Sequence, residues 1–196
     1  MNYTERVTPE NAVLVMVDFL DGFLPGLRTI DRSLFRANAE ALARIGKIFN
    51  LPTIILGEEG DFRGNFFPEV MKHLDHGIRV ERHTPSAWDE PEFIKTIEKI
   101  GRKKVIVGGI SLDICTTMLT IDLLRNGYDV FVVVDVSGSD TPLNEMAAMM
   151  RLSQAGAIMT SWGSLASELM KDWQTPEGPH IGELYQEFSY WGNHAL

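Results

Sequence analysis

The sequence predicts an α/β fold: a doubly wound, Rossmann-like three-layer sandwich around a central, mostly parallel six-stranded sheet. Two observations carry that expectation. Six short apolar runs recur along the chain, most without polar alternation, as strands covered on both faces require. Between them lie segments with helical spacing, and strand-helix alternation with short connections favours right-handed crossovers into a parallel sheet.

The elements follow in order. Residues 12–17 form the first apolar run, and 33–49 have helical period. Runs 53–56 and 78–80 are the second and third strands, and 92–100 is a helix. The fourth strand, 105–108, leads through the Gly108-Gly109 pair into a helix over 113–126, closed by Asn126-Gly127 as glycine C-caps do. The fifth strand covers 130–134. Thr141-Pro142 supplies an N-cap and a proline at the first helical position for 143–155, which Gly156 closes. Residues 157–159 are the last strand and 164–173 the last helix. Residues 174–196, rich in proline, glycine and aromatics, read as a tail packing on the body or on a neighbouring subunit. Its Tyr185, Phe188, Tyr190 and Trp191 suit an interface. No repeat, low-complexity tract or linker divides the 196 residues, so one domain over 1–196 is expected.

Composition narrows the function classes. A formal net charge of −9 argues against a nucleic-acid partner, which calls for a basic stripe. The densest basic run, Arg102-Lys103-Lys104, is expected to be a solvated loop. No apolar stretch approaches the roughly 20 residues of a membrane span. The first six residues lack an apolar signal core, so nothing marks the chain for export. One cysteine excludes an intramolecular disulfide, and a free thiol fits a reducing compartment, the cytoplasm by default.

That cysteine is the most informative residue. Cys115 follows the fourth strand and its glycine pair and opens the helical pattern that begins at Thr116. A helix N-terminus presents free N–H groups and the positive end of a dipole, which favour a thiolate and can hold an oxyanion. The alternative is a small buried hydrophobe. Asp18 ends the first strand, at the rim where parallel sheets bind ligands. Within reach of Cys115 it could take the thiol proton and pass it to a leaving group; otherwise it is a loop cap. Asp21 reads as solvated or capping. Arg82 follows the third strand, and is either a fixed cation beside Cys115 or a surface partner of Glu81. Leu20, Phe23, Leu24, Trp88, Met118 and Trp162 are candidates to line a mostly apolar pocket, or else core.

The combination of strand-then-Asp18, the run Gly109-Ile110-Ser111-Leu112-Asp113-Ile114-Cys115 and a cation before Ser86-Ala87-Trp88 resembles the isochorismatase-like cysteine hydrolases, the superfamily of nicotinamidases and N-carbamoylsarcosine amidases. The likeness runs from Val13 to Trp173. It is similar most of all to the YcaC-like branch, through residues 49–54, 87–89, 127–133 and 154–157 with 160–162. The resemblance implies Asp18 and Cys115 as catalytic residues, a non-proline cis peptide at Ile110–Ser111, and an oxyanion hole from the backbone N–H groups of Ser111 and Cys115.

Two departures stand out. The superfamily usually has lysine where Arg82 falls; arginine keeps the charge but stays protonated, so it is assigned electrostatic support. Nicotinamidases carry an Asp/His metal cluster after the second strand, whereas this chain has Glu58, Glu59 and Asp61 with no histidine. His73 and His76 have only Asp75 beside them. No metal and no cofactor are expected. The leading expectation is a metal-independent hydrolase of a small amide, ureido or related carbonyl compound, acting as a homo-oligomer without nucleic-acid or membrane partners. The alternatives are a non-catalytic oligomeric scaffold, or a vinyl-ether hydrolase, whose chemistry would leave Cys115 without a task.

Overall fold

The computed structural model describes residues 5–189. Six strands, β1 (Ala12–Val17), β2 (Thr53–Leu56), β3 (Ile78–Val80), β4 (Lys104–Gly109), β5 (Asp129–Val133) and β6 (Ile158–Thr160), form one sheet in the order β3-β2-β1-β4-β5-β6. Every pairing is parallel. The helices are α1 (Arg32–Ile48), α2 (Pro68–Met71), α3 (Pro91–Ile100), α4 (Thr117–Arg125), α5 (Pro142–Ala155), α6 (Trp162–Met170) and α7 (Gly178–Phe188).

Side chains alternate across each strand, so one apolar run feeds two cores. Leu14 and Met16 of β1, Ile106 of β4 and Phe131 of β5 pack beneath α1, α6 and α7. Val15 and Val17, Val107 and Val132 pack on the other face beneath α3, α4 and α5. This is the expected three-layer sandwich, with a sheet that is wholly rather than mostly parallel.

Local signals account for the helix ends. The Asp31 carboxylate accepts from the N–H groups of Ser33 and Leu34, each at 2.9 Å, and opens α1. Thr141 accepts from Asn144 N–H at 3.2 Å ahead of Pro142, and Gly156 closes α5 in the left-handed conformation.

The C-terminal segment contains a helix, α7, which packs on α1 and α6 of the body; Tyr190 and Trp191 lie outside the described residues. Two expectations need correction. Arg102-Lys103-Lys104 is not simply a solvated loop. Lys104 opens β4, is buried, and pairs with Asp129 at 3.2 Å, while Arg102 donates to the carbonyls of Pro9 and Ala12. Parallel pairing of β4 beside β1 and β5 thus sets Arg102 against backbone carbonyls and Lys104 against a strand-end carboxylate. Finally, the helix expected over 113–126 begins with a π-helical turn, Leu112–Thr116, before α4 starts.

The chain winds from β1 outward to β3, then crosses back to place β4 on the other side of β1. The β1/β4 boundary is therefore the topological switch point, where open α/β sheets bind ligands beyond the strand C-termini. Close approach of these strands explains Gly109: at φ 149° it sits where a β-carbon would run into the Val17 carbonyl.

Candidate active site

Because the strands are parallel, the segments after β1, β3 and β4 all emerge at one edge of the sheet. Asp18, Arg82 and Cys115 are one, two and six residues beyond those strands, and all three line one cavity of roughly 510 Å³. A volume of that size suits a small molecule.

Asp18 adopts a left-handed backbone, φ 51°, which turns its carboxylate from the strand into the cavity. Its side chain is 4% exposed and that of Arg82 is 9% exposed. The Arg82 guanidinium grips both carboxylate oxygens: Nε donates to Oδ1 at 3.2 Å and Nη2 to Oδ2. Nη1 donates to the carbonyls of Thr84 and Pro85. Arg82 is thus the partner of Asp18, not of Glu81 on the surface. Gly57 makes room for this pair, since a β-carbon there would lie 3.0 Å from Asp18 Oδ1.

The loop that carries Arg82 folds around Glu90. Its Oε1 accepts from His83 N–H and Thr84 Oγ1, both at 2.8 Å, and from Thr84 N–H at 3.1 Å. These bonds, the His83 N–H first, hold the Glu90 carboxyl below its ordinary range. Ser86 Oγ ties the loop to α4 by donating to Asp122 Oδ2 at 2.7 Å.

The turn that carries Cys115 is bracketed from the segment after β5. Leu112 N–H donates to Gly138 O at 2.8 Å, Gly109 N–H to Ser137 Oγ at 3.1 Å, and the buried Ser139 hydroxyl to Asp113 Oδ1 at 2.8 Å. Within the turn, Thr116 Oγ1 reaches Gly109 O and Thr117 Oγ1 reaches Leu112 O. The Ile110–Ser111 peptide is cis. Ser111 lines the cavity, and no described residue accepts from its N–H. Cys115 is half-buried and free.

Of the six apolar residues expected at the pocket, Phe23 lines this cavity and the others do not. Leu20 is fully buried, because the chain after Asp18 turns inward and bridges to Phe66. Leu24 packs on the same core. Trp88 stacks edge-on with Phe93 and Tyr128, away from the cavity. Met118, three residues past Cys115 in α4, is partly buried and absent from the lining. Trp162 is buried in the core beneath α1 and α6, where its indole donates to Asn38. The walls that were missed come from loops: Leu27, Phe62, Pro85, Ile110 and Ile114, with Glu58, Arg63, His83 and Asp140 as charged members. The rule that places ligands at strand C-termini, applied to the loops after β2 and β5 as well, would have pointed to Glu58–Arg63 and Asp140.

Two acids of the loop after β2 have partners within the fold. Glu58 faces Arg63 at 3.5 Å, and Glu59 accepts from Phe66 N–H at 3.1 Å and faces Arg79. His73 is hydrogen-bonded to Glu40 at 3.3 Å. Among the described residues no three His, Cys, Asp or Glu side chains converge as a metal site. No helix there is long and apolar enough to cross a membrane.

Comparison with known proteins places these features in context. Residues 12–164 match the isochorismatase domain. The chain is 33% identical over 171 residues to the probable hydrolase YcaC of Escherichia coli, covering 86% of this chain and 82% of that one. Among solved structures, YcaC from Pseudomonas aeruginosa, with hexane-2,5-diol and covalent acrylamide, has a TM-score of 0.90 at 33% identity, covering 94% and 92% of the two chains. The Escherichia coli YcaC gene product, an octameric hydrolase of unknown specificity, has a TM-score of 0.88 at 31% identity, covering 93% and 90%. With its domain match spanning most of its length and its fold shared with YcaC proteins, the chain belongs to the isochorismatase family of hydrolases.

Proposed function

We propose that the chain is a metal-independent cysteine hydrolase that cleaves a small amide, ureido or related carbonyl compound through a thioester. The observation that carries this reading is the convergence of Asp18, Arg82 and Cys115 on one cavity at the β1/β4 switch point. Asp18 takes the Cys115 proton; each of its oxygens keeps a lone pair beside the Arg82 fork. The sulfur attacks the substrate carbonyl, and the oxyanion develops against the N–H groups of Ser111 and Cys115. Protonated Asp18 delivers its proton to the departing amine, then activates the water that hydrolyses the thioester. Arg82 fixes the Asp18 carboxylate and balances its charge.

The Pseudomonas aeruginosa relative holds covalent acrylamide, an electrophile of the kind that thiolates capture. This chain has a single cysteine, at its cavity. The test is a panel of short amides and ureido compounds assayed for amine or ammonia release, with adduct mapping after acrylamide. Turnover is expected to vanish in Cys115→Ala and Cys115→Ser and to survive exhaustive chelation. Turnover that chelation stops and added metal restores would refute the mechanism.

The octameric Escherichia coli relative supports self-association here too. We assign it to α5, which exposes Leu143, Met146 and Met150 at helical spacing, beside the exposed Ile114 of the nucleophile turn.

A further inference from the structure

The cavity wall carries two cations, Arg63 and Arg82, and one histidine, His83, and each faces a carboxylate. Arg82 is committed to Asp18 and to two carbonyls. Arg63 Nη1 lies 3.5 Å from Glu58 Oε2, and His83 Nδ1 lies 3.7 Å from the same oxygen. The remaining charged member, Asp140, is an acid whose Oδ1 accepts from Asn144 at 2.7 Å. No other cation lines the cavity among the described residues. A carboxylate entering here would lose hydration without gaining a free cation, and would face Asp18, Glu58 and Asp140.

The remainder of the wall is chiefly apolar, from Phe23, Leu27, Phe62, Ile110, Ile114 and Pro85. Phe62 is 71% exposed, and its ring meets Phe23 edge-on at 5.9 Å. An apolar group entering beside Phe62 would remove ring surface from water on both partners. We propose that this site takes an uncharged amide or ureido substrate bearing a ring-sized apolar group, and rejects substrates that carry a carboxylate. The proposal deepens the hydrolase reading and rests on Cys115 as its reactive group.

Three alkylating reagents test it on the unmodified chain: iodoacetamide, iodoacetate and N-benzyl iodoacetamide. In each, the Cys115 thiolate sulfur bonds to the methylene carbon as iodide leaves. Rates are divided by those of glutathione with the same reagent, in high salt to screen the net charge of the chain. The normalised iodoacetate rate is expected about tenfold below that of iodoacetamide, given a wall without a free cation. The benzyl reagent should react about tenfold faster than iodoacetamide, as partial burial of one ring supplies. Phe62→Ala should remove most of the benzyl advantage, and Glu58→Gln, which releases Arg63 and His83, should raise the iodoacetate rate severalfold. Equal or faster labelling by iodoacetate, or no benzyl preference, overturns the proposal. Because labelling needs no turnover, a chain that selects these reagents but hydrolyses no amide would refute only the hydrolase reading. A Cys115 that none of the three labels would sink both.

Discussion

Arg82→Ala is the perturbation that tests the site most directly. The Asp18 and Arg82 side chains are 4% and 9% exposed, so their pair is far less screened by solvent than a surface bridge. Removing the guanidinium strands a buried carboxylate and leaves the carbonyls of Thr84 and Pro85 without their donor. Breaking one side of such a pair costs about 3–5 kcal/mol. With a urea m-value of about 2 kcal/mol per molar, the midpoint should fall by roughly 2 M at fixed protein concentration. Arg82→Lys keeps the charge but not the planar fork, and should lose about 1–2 kcal/mol. The double variant Asp18→Asn with Arg82→Met removes both charges, so it should recover much of the loss and give a coupling of about 2 kcal/mol or more. An alanine variant within about 1 kcal/mol of the parent would show a solvent-screened pair, and the argument for a fixed Asp18 carboxylate would collapse.

Asp135 offers a pH-dependent test. Burial raises its carboxyl above the ordinary value, against the Trp162 N–H that donates to it at 3.0 Å. A raised folded pKa contributes stability that is complete below the unfolded value and is lost as pH rises through the folded one. Asp135→Asn should therefore melt with the parent in acid and above it at neutral pH; a parent that stays the more stable at neutral pH refutes this. Ser139→Ala removes the part-buried bond to Asp113 and should cost about 1–3 kcal/mol while slowing Cys115 labelling, whereas unchanged labelling would mean that the bracket does not hold the turn that carries Cys115. Met146→Glu, on the exposed face of α5, should lower the mass measured by light scattering, and an unchanged mass would place the contact elsewhere.

The sheet was legible because burial on both faces leaves little room for polar residues. The runs 12–17 and 53–56 became the buried strands β1 and β2 without change, while 78–80 became β3, an edge strand whose Ile78 and Arg79 are exposed. The π-turn was not legible, since the helical period of residues 113–126 is the same whether the first turn is α or π. The α7 helix had a readable signal that composition obscured. Pro176, Gly178 and Pro179 suggest a loop, yet proline at a helix start is favourable, and Ile181, Leu184, Tyr185 and Phe188 keep helical spacing behind it. Leu20, Leu24, Met118 and Trp162 were misplaced for a different reason. An apolar side chain near a strand end fits a pocket wall and a core equally well, and the turn geometry that decides between them is a tertiary property.

The placement of Arg82 illustrates how far local rules reach. Sequence proximity favours Glu81 as its partner, whereas the partner in the fold is Asp18, 64 residues away. The strand alternation already argued against Glu81. Val80 is buried, so an extended chain carries Glu81 outward and returns Arg82 to the side of Val80. Parallel pairing of β3 to β2 and β2 to β1 then sets the inward side beside the end of β1, where Asp18 turns its carboxylate. What alternation cannot supply is the reach across β2. That gap is bridged by the length of the arginine side chain, while Gly57 leaves room for the carboxylate at the other end, since a β-carbon there would lie 3.0 Å from Asp18 Oδ1. A side chain at Gly57 would press on the Asp18 carboxylate, Leu20 and Phe66. The arginine and the glycine therefore work as one unit, and the fixed carboxylate that the proposed chemistry requires depends on both.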